Sequence, residues 1–223
     1  MAFPDDLAFS RRGKYLYITD MSSTYAIDSL LYSALSGECD GRLLRLNMAT
    51  KKLSTVVGGL CSANGVEVTN DGDFILISET MRSRVRMVET STFKTRKLIY
   101  LPASPDNIRR NSKGTYWVGA SHPRTAAADF IRRHRFLRQL IGGFISLKNI
   151  AKTINKKSNM VFEVDRMGKV LQTLHDANGT LTNGLAQAVE LSDGRLALTT
   201  YSANFVAILN ENDSKPIGDV KHV

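Results

Sequence analysis

Four times in 223 residues a run of strand-forming residues is broken by a glycine-centred turn and resumes at once. The copies run from Asp6 to Ile18 around Gly13, from Gly65 to Ile77 around Gly72, from Asn107 to Val118 around Gly114 and from Gln187 to Leu198 around Gly194. A tight reversal flanked on both sides by alternating apolar residues is a β-hairpin. Its recurrence means that the chain repeats one supersecondary unit and must bury the same kind of face each time.

Each hairpin is followed by a second one with a more polar turn, at Gly41–Val57, Arg84–Tyr100 and Met160–Leu174, while Phe205–Leu209 begins a fourth. Two consecutive hairpins make a four-stranded antiparallel sheet. Four such units, at about residues 1–60, 61–101, 102–174 and 175–223, predict an all-β chain built as β-propeller blades. A β-sandwich is the rival architecture, since short strands at even spacing fit both.

Composition sets the remaining bounds. With 43% hydrophobic and 23% charged residues the chain is globular in type. Met1-Ala-Phe-Pro-Asp-Asp lacks the features of a signal peptide, and no apolar run is long enough to span a bilayer. The net charge of +9 is concentrated: nine Lys and Arg against the single Asp129 fall between Arg124 and Lys157. So local a basicity argues against a surface built to hold nucleic acid, whose footprint extends over the fold. Cys39 and Cys61 have no zinc-ligand spacing and read first as isolated core thiols, although they flank a predicted hairpin and could pair. Asn178-Gly-Thr180 and Asn212-Asp-Ser214 have the N-glycosylation pattern.

Two segments break the β pattern, 21–38 and 126–154, and both read as helical insertions. In the second, Phe130, Leu137, Ile141 and Phe144 fall near one helical face and Arg132, Arg135 and Arg138 do not, with a break expected at Gly142-Gly143. Such a basic amphipathic segment either packs as a lid over its own domain or lies on an anionic membrane surface.

Taken together, Gly41-Arg-Leu-Leu-Arg-Leu, Gly59-Leu-Cys-Ser-Ala-Asn-Gly-Val, Asp71-Gly-Asp-Phe-Ile-Leu-Ile-Ser-Glu-Thr, Arg82-Ser-Arg and Pro105-Asp-Asn-Ile-Arg-Arg-Asn-Ser-Lys-Gly-Thr-Tyr-Trp-Val resemble the strictosidine synthase-like family, which is related in fold to the paraoxonases. The resemblance is densest from Asp5 to Arg124 and continues more weakly from Asn159 to Leu209. It implies a six-bladed propeller of which this chain holds about four blades and lacks the first two. It also implies an endomembrane or secretory setting.

The resemblance further implies a calcium ion in the central channel, held by Asn and Asp side chains at the inner ends of successive blades. The matching positions are Asp5, Asn64, Asp106 and Asn107, with Asp5 standing where an asparagine is usual and no counterpart for the family's first-blade glutamate. Hard cations take six to eight oxygen ligands, so converging amides and carboxylates are suitable chemistry. Read from the residues alone, Asp and Asn in these places also suit tight turns before strands. The family's amine–aldehyde condensing members rely on a glutamate six residues before an Asp-Gly turn; counting back from Asp193-Gly194 reaches Gln187, whose neutral amide cannot serve as acid or base. Glu190, three positions on, falls on the opposite strand face. The calcium-dependent members resemble esterases and lactonases of small apolar substrates. Here His122 is the candidate assisting base, while His134 and His175 sit in an insertion and a hairpin. A non-catalytic, membrane-peripheral binding propeller is the alternative function.

Overall fold

The computed structural model describes residues 1–144, 159–176, 178–179 and 184–209. Blade 1 is β1 (Pro4–Phe9), β2 (Tyr15–Asp20), β3 (Gly41–Asn47) and β4 (Leu53–Leu60). Blade 2 follows as β5 (Ala63–Val68), β6 (Phe74–Glu79), β7 (Arg84–Glu89) and β8 (Thr95–Tyr100), and blade 3 as β9 (Ala103–Arg110), β10 (Tyr116–Pro123), β11 (Asn159–Val164) and β12 (Val170–Asp176). Blade 4 contributes β13 (Leu185–Glu190), β14 (Leu196–Thr200) and β15 (Ala207–Leu209). Every sheet is an antiparallel meander in chain order. Blades 1 and 2 fall within the repeats read from the sequence, β12 of blade 3 runs two residues past the expected 174, and the end of the fourth unit lies outside the described residues.

The repeated glycines explain why. Gly13, Gly72, Gly114 and Gly194 all lie at positive φ, between 67° and 84°. Each donates its N–H to the carbonyl three residues earlier, on Ser10, Thr69, Asn111 and Leu191. A side chain at these positions would be strained, so glycine sets where the chain reverses.

The first strands of successive blades lie side by side, β1 on β5, β5 on β9 and β9 on β13, which is a radial arrangement rather than two stacked sheets. Among the described residues no packing of similar extent joins β13 back to β1. The core is accordingly divided into layers between blades. Tyr17, Leu43, Leu60, Ile75 and Ile77 fill the layer between blades 1 and 2. Leu76, Met87, Ile108, Tyr116 and Phe162 fill the next, and Trp117, Val161, Leu185 and Leu198 the third. Ile75 and Leu76, like Tyr116 and Trp117, are sequence neighbours that enter different layers because alternate strand residues face opposite sides. Each large side chain so buried contributes roughly 1.5–3 kcal/mol.

One polar clasp ties three inner strands together. The Asp6 carboxylate accepts from the Val66 N–H at 2.9 Å and from both terminal nitrogens of Arg109 at 2.8 and 2.9 Å. Arg109 is held in a fork, the geometry in which guanidinium–carboxylate pairs are strongest.

The insertions form α1 (Leu30–Ser36) after a 3-10 turn at Ile27–Ser29, then α2 (Ala126–Arg133) and α3 (Arg135–Phe144). The helix does not break at Gly142-Gly143: both glycines lie within α3, and the interruption falls at His134, whose extended backbone separates α2 from α3. His134 Nδ1 is 2.7 Å from the Phe130 carbonyl, so the imidazole closes the end of α2. Of the apolar face read from the sequence, Leu137 and Ile141 are half-buried and Phe130 and Phe144 exposed. The rest of that expected helix, residues 145–154, lies outside the described residues, as does Asn212; Asn178 occupies an exposed turn. Cys39 and Cys61 are not isolated thiols: they form a disulfide. The antiparallel return of β3 and β4 carries Cys61 back beside Cys39, which stands just before β3.

Candidate functional site

A shared irregularity in the inner strands builds the site. Each carries one extra residue against its neighbour: between Pro4 and Leu7 in β1, between Ala63 and Val66 in β5, between Pro105 and Ile108 in β9 and between Leu185 and Gln187 in β13. A bulge of this kind re-aims a side chain out of the strict alternation of a strand. The residues inside the four bulges are Asp5-Asp6, Asn64-Gly65, Asp106-Asn107 and Ala186. All four candidate oxygen ligands therefore stand at equivalent points of the repeat, and the fourth blade offers no side-chain oxygen there.

The structure brings three of the four into mutual influence. Burial, the charge of Asp5 and the charge of Asp6 push the Asp106 carboxyl up to about 7, against a hydrogen bond from the Asn64 amide and the attraction of Arg109. Asp5 keeps contact with solvent, yet the protein around it and the neighbouring Asp6 push it up to about 6. Asn64 is 5% exposed, and its Oδ1 is buried with no hydrogen-bond partner. Orphaned buried oxygens are rare in folded proteins. Asn107 follows Asp106 on the same bulge, with its Cα within 2.6 Å of where a Cβ on residue 65 would stand. Gly65 is thus required for blades 2 and 3 to approach so closely. Among the described residues no three His, Cys, Asp or Glu side chains converge as a metal cluster, so any cation here relies on amide as well as carboxylate oxygen.

A second group lies at the same end of the sheets. Ser121 Oγ is 2.7 Å from His122 Nδ1, and Tyr201 stacks on the His122 ring with its hydroxyl 3.4 Å from Nε2. Burial holds the His122 imidazole below its ordinary value, which favours the neutral ring. Tyr201 is pushed up, chiefly by burial, with the nearby Asp106 charge acting in the same sense against a hydrogen bond with Ser121. Tyr201 therefore lies within electrostatic reach of Asp106 as well as beside His122. Gly184 makes room for it, since a Cβ there would come within 2.6 Å of the Tyr201 ring. Neither Ser121 nor Tyr201 was distinguishable in the sequence. The available signal for Ser121 is a second bulge, one extra residue in β10 before His122, and it exists only in the register.

The other candidates lie elsewhere. Gln187 sits on β13, its backbone N–H close against Gly119. Glu190, at the far end of that strand, accepts from the Ser112 hydroxyl and N–H. His134 and His175 are exposed. A surface groove lined by Tyr100, Arg124 and Asp129 lies beside α2 and includes none of the candidate ligands.

Both insertions leave from this same end, after β2 and after β10, and they meet. Arg138 donates Nε to the Leu35 carbonyl at 3.0 Å and Nη2 to that of Ser36 at 3.4 Å. A cation thus caps the C-terminus of α1, where unpaired carbonyls carry partial negative charge. Gly37, at φ 69°, leaves the space the guanidinium fills.

A radial stack of four-stranded meanders with Asp and Asn on bulged inner strands defines a propeller with a polar axial end. Residues 5–91 match the strictosidine synthase family model. The chain is 32% identical over 218 residues to the adipocyte plasma membrane-associated protein of Rattus norvegicus, covering 94% of this chain and 57% of that one. It is 30% identical to the Homo sapiens protein of that name, covering 94% and 52%, and 32% identical over 187 residues to Protein STRICTOSIDINE SYNTHASE-LIKE 13 of Arabidopsis thaliana, covering 79% and 45%. The strictosidine synthase-like resemblance therefore holds, and the chain spans about half the length of the curated relatives it matches. Among solved structures, a luciferin-regenerating enzyme superposes with a TM-score of 0.55 at 13% identity, covering 92% of this chain and 59% of that one. A streptogramin B lyase does so at 0.56 and 10%, covering 94% and 52%. At such identity these share the fold.

Proposed function

We propose that this chain supplies the cation-binding and proton-handling end of a calcium-dependent esterase or lactonase acting on small apolar substrates. The observation that carries the reading is the meeting of two carboxyls with raised pKa values and an unpartnered, buried amide oxygen on consecutive inner-strand bulges. Without a cation this arrangement is costly, because two like charges crowd each other and the protein around them limits their hydration. The donor set fits a hard divalent cation: Asp5 and Asp106 supply charge, and Asn64 Oδ1 and Asn107 supply neutral oxygen. Calcium bound there would polarise an ester carbonyl and stabilise the oxyanion that forms.

The chain's own residues then divide the remaining work. Burial favours the neutral His122 ring, which can accept a proton from a water approaching the channel end, and Tyr201 orients that ring by stacking and by its hydroxyl. Ser121 sets the position of Nδ1. The helical insertions leave from the same end of the sheets and, closed over it, would exclude bulk water from a weakly polar substrate. Gln187 leaves an amine–aldehyde condensation without its acid/base. Calcium-dependent hydrolysis of an aryl acetate, lost in Asn64→Ala and reduced about a hundredfold in His122→Gln, is the expected result. Turnover that is indifferent to both calcium and Asn64→Ala sinks the reading.

A second reading has its own observation. Phe130, Phe136, Leu140 and Phe144 are exposed on α2 and α3, Phe144 at 84%, beside exposed Arg133 and Arg135. Apolar rings rimmed by cations suit the surface of an anionic bilayer. No described helix is long and apolar enough to cross a membrane. Sedimentation with phosphatidylserine vesicles that weakens with salt, in a protein without turnover, favours this function over the first.

A further inference from the structure

The disulfide lies in a setting that the hydrolase reading does not use. Cys61 is buried and Cys39 is half-exposed. Arg82, in the 3-10 turn after β6, directs Nε to Cys61 Sγ at 3.2 Å and Nη2 to Cys39 Sγ at 3.7 Å. A disulfide sulfur is a weak acceptor, and among the described residues no carboxylate forms an ion pair with this guanidinium. Among the described residues, the charges that act on it are Arg132, Arg84 and Arg138, all of like charge, and Glu79. Glu79 is already engaged by Arg84, Arg86 and the Cys61 N–H. The surroundings are therefore electropositive and would be better matched by a thiolate than by the neutral bridge.

We propose that Cys39–Cys61 is a reducible modification site, opened by a small-molecule thiol of the glutathione class, with Arg82 stabilising the sulfur that leaves. The incoming thiolate attacks Cys39 Sγ, the more accessible sulfur, and forms a mixed disulfide. The electron pair of the broken S–S bond departs on Cys61 as a thiolate facing Arg82. A second thiol cleaves the mixed disulfide, releasing Cys39 as a thiol and the oxidised small-molecule disulfide, so two thiols supply the two electrons and two protons. Stabilising the reduced form in this way makes a disulfide more oxidising.

The bridge joins the end of the first insertion to the segment that leads, three residues on, to Asn64. Its opening leaves α1 attached through Arg138 and its own chain ends, so reduction loosens the first insertion where it leaves the axial end of the propeller.

The test uses the whole chain. Thiol appearance in reduced glutathione, followed by alkylation and mass, is expected to slow about tenfold in Arg82→Gln and to be partly restored in Arg82→Lys. Equal rates in all three proteins overturn the proposal. Because Arg82→Gln could also alter folding, Cys39→Ser provides a separate reading. In that variant the Cys61 thiolate, followed by its ultraviolet absorbance, should titrate at least about one unit below the ~8.5 of a free cysteine. A value at or above it overturns the proposal. Limited proteolysis within 21–38 should rise severalfold on reduction and be equally high in Cys39→Ser with Cys61→Ser; cleavage that ignores the redox state refutes the loosening.

Discussion

At the scale of single residues, the paired carboxyls make the site testable by pH. Asp5 and Asp106 titrate near 6 and 7 in the fold, above their ordinary 3.8. The folded state thus holds these protons more tightly than the unfolded chain. Their contribution disfavours folding fully above about 7 and fades as pH falls toward 4, so the metal-free protein should gain stability on mild acidification in urea titrations. Bound as proposed, calcium would compete with the same protons. Its affinity by calorimetry should rise from pH 5 to pH 8 and flatten once both groups are ionised. Asp106→Asn removes one of the crowded charges and is expected to stabilise the metal-free protein by about 1–2 kcal/mol while abolishing the upward shift of Tm expected on adding calcium. An unchanged calcium shift in that variant excludes Asp106 as a ligand.

Among the structural elements, the bulges and the insertion contacts decide geometry. A methyl group on residue 65 would come within 2.5–2.7 Å of the backbone of Asp106 and Ile108, which cannot withdraw as a side chain could. Gly65→Ala is therefore expected to cost about 2–3 kcal/mol in denaturant unfolding and to weaken calcium binding with it. Gly58→Ala, in open space on β4, should change stability by less than about 0.5 kcal/mol. Arg138→Ala removes the cap on α1 and should raise hydrogen exchange across 30–37 selectively, leaving the blades protected. The four hairpins were legible in the chain because glycine chemistry at a turn is local. The bulges were not: an extra residue is defined only against the partner strand, and Asp5, Asn64 and Asp106 look in sequence like ordinary turn formers.

For the molecule as a whole, the outward side of the first blade is the notable surface. On β1, Asp6 and Ala8 face blade 2, while Leu7 and Phe9 are 58% and 55% exposed. An apolar sheet face of this kind favours association with another surface. The chain should self-associate in a concentration-dependent way, and Leu7→Lys with Phe9→Lys should suppress it in sedimentation velocity with little change in Tm. Persistence of the association in that variant places the contact elsewhere. The basic segment from Arg124 onward was also legible as a whole, but its division of labour was not. Among the described residues of that segment, Arg124 and Arg132 pair with Asp129, Arg138 turns inward to α1, and Arg133 and Arg135 are exposed.

What the amino-acid sequence determined by itself is the repeat: alternation dictates strands, positive-φ glycines dictate reversals, and together they specify blades in order. Both kinds of information are short-range, so they survive in one dimension. What only the tertiary structure decided is which distant residues share an environment: Asp5 with Asp106, Tyr201 with His122, and Arg82 with the two sulfurs. Charge, desolvation and hydrogen bonding act through space over a few ångströms, and that distance is set by the packing of blade on blade.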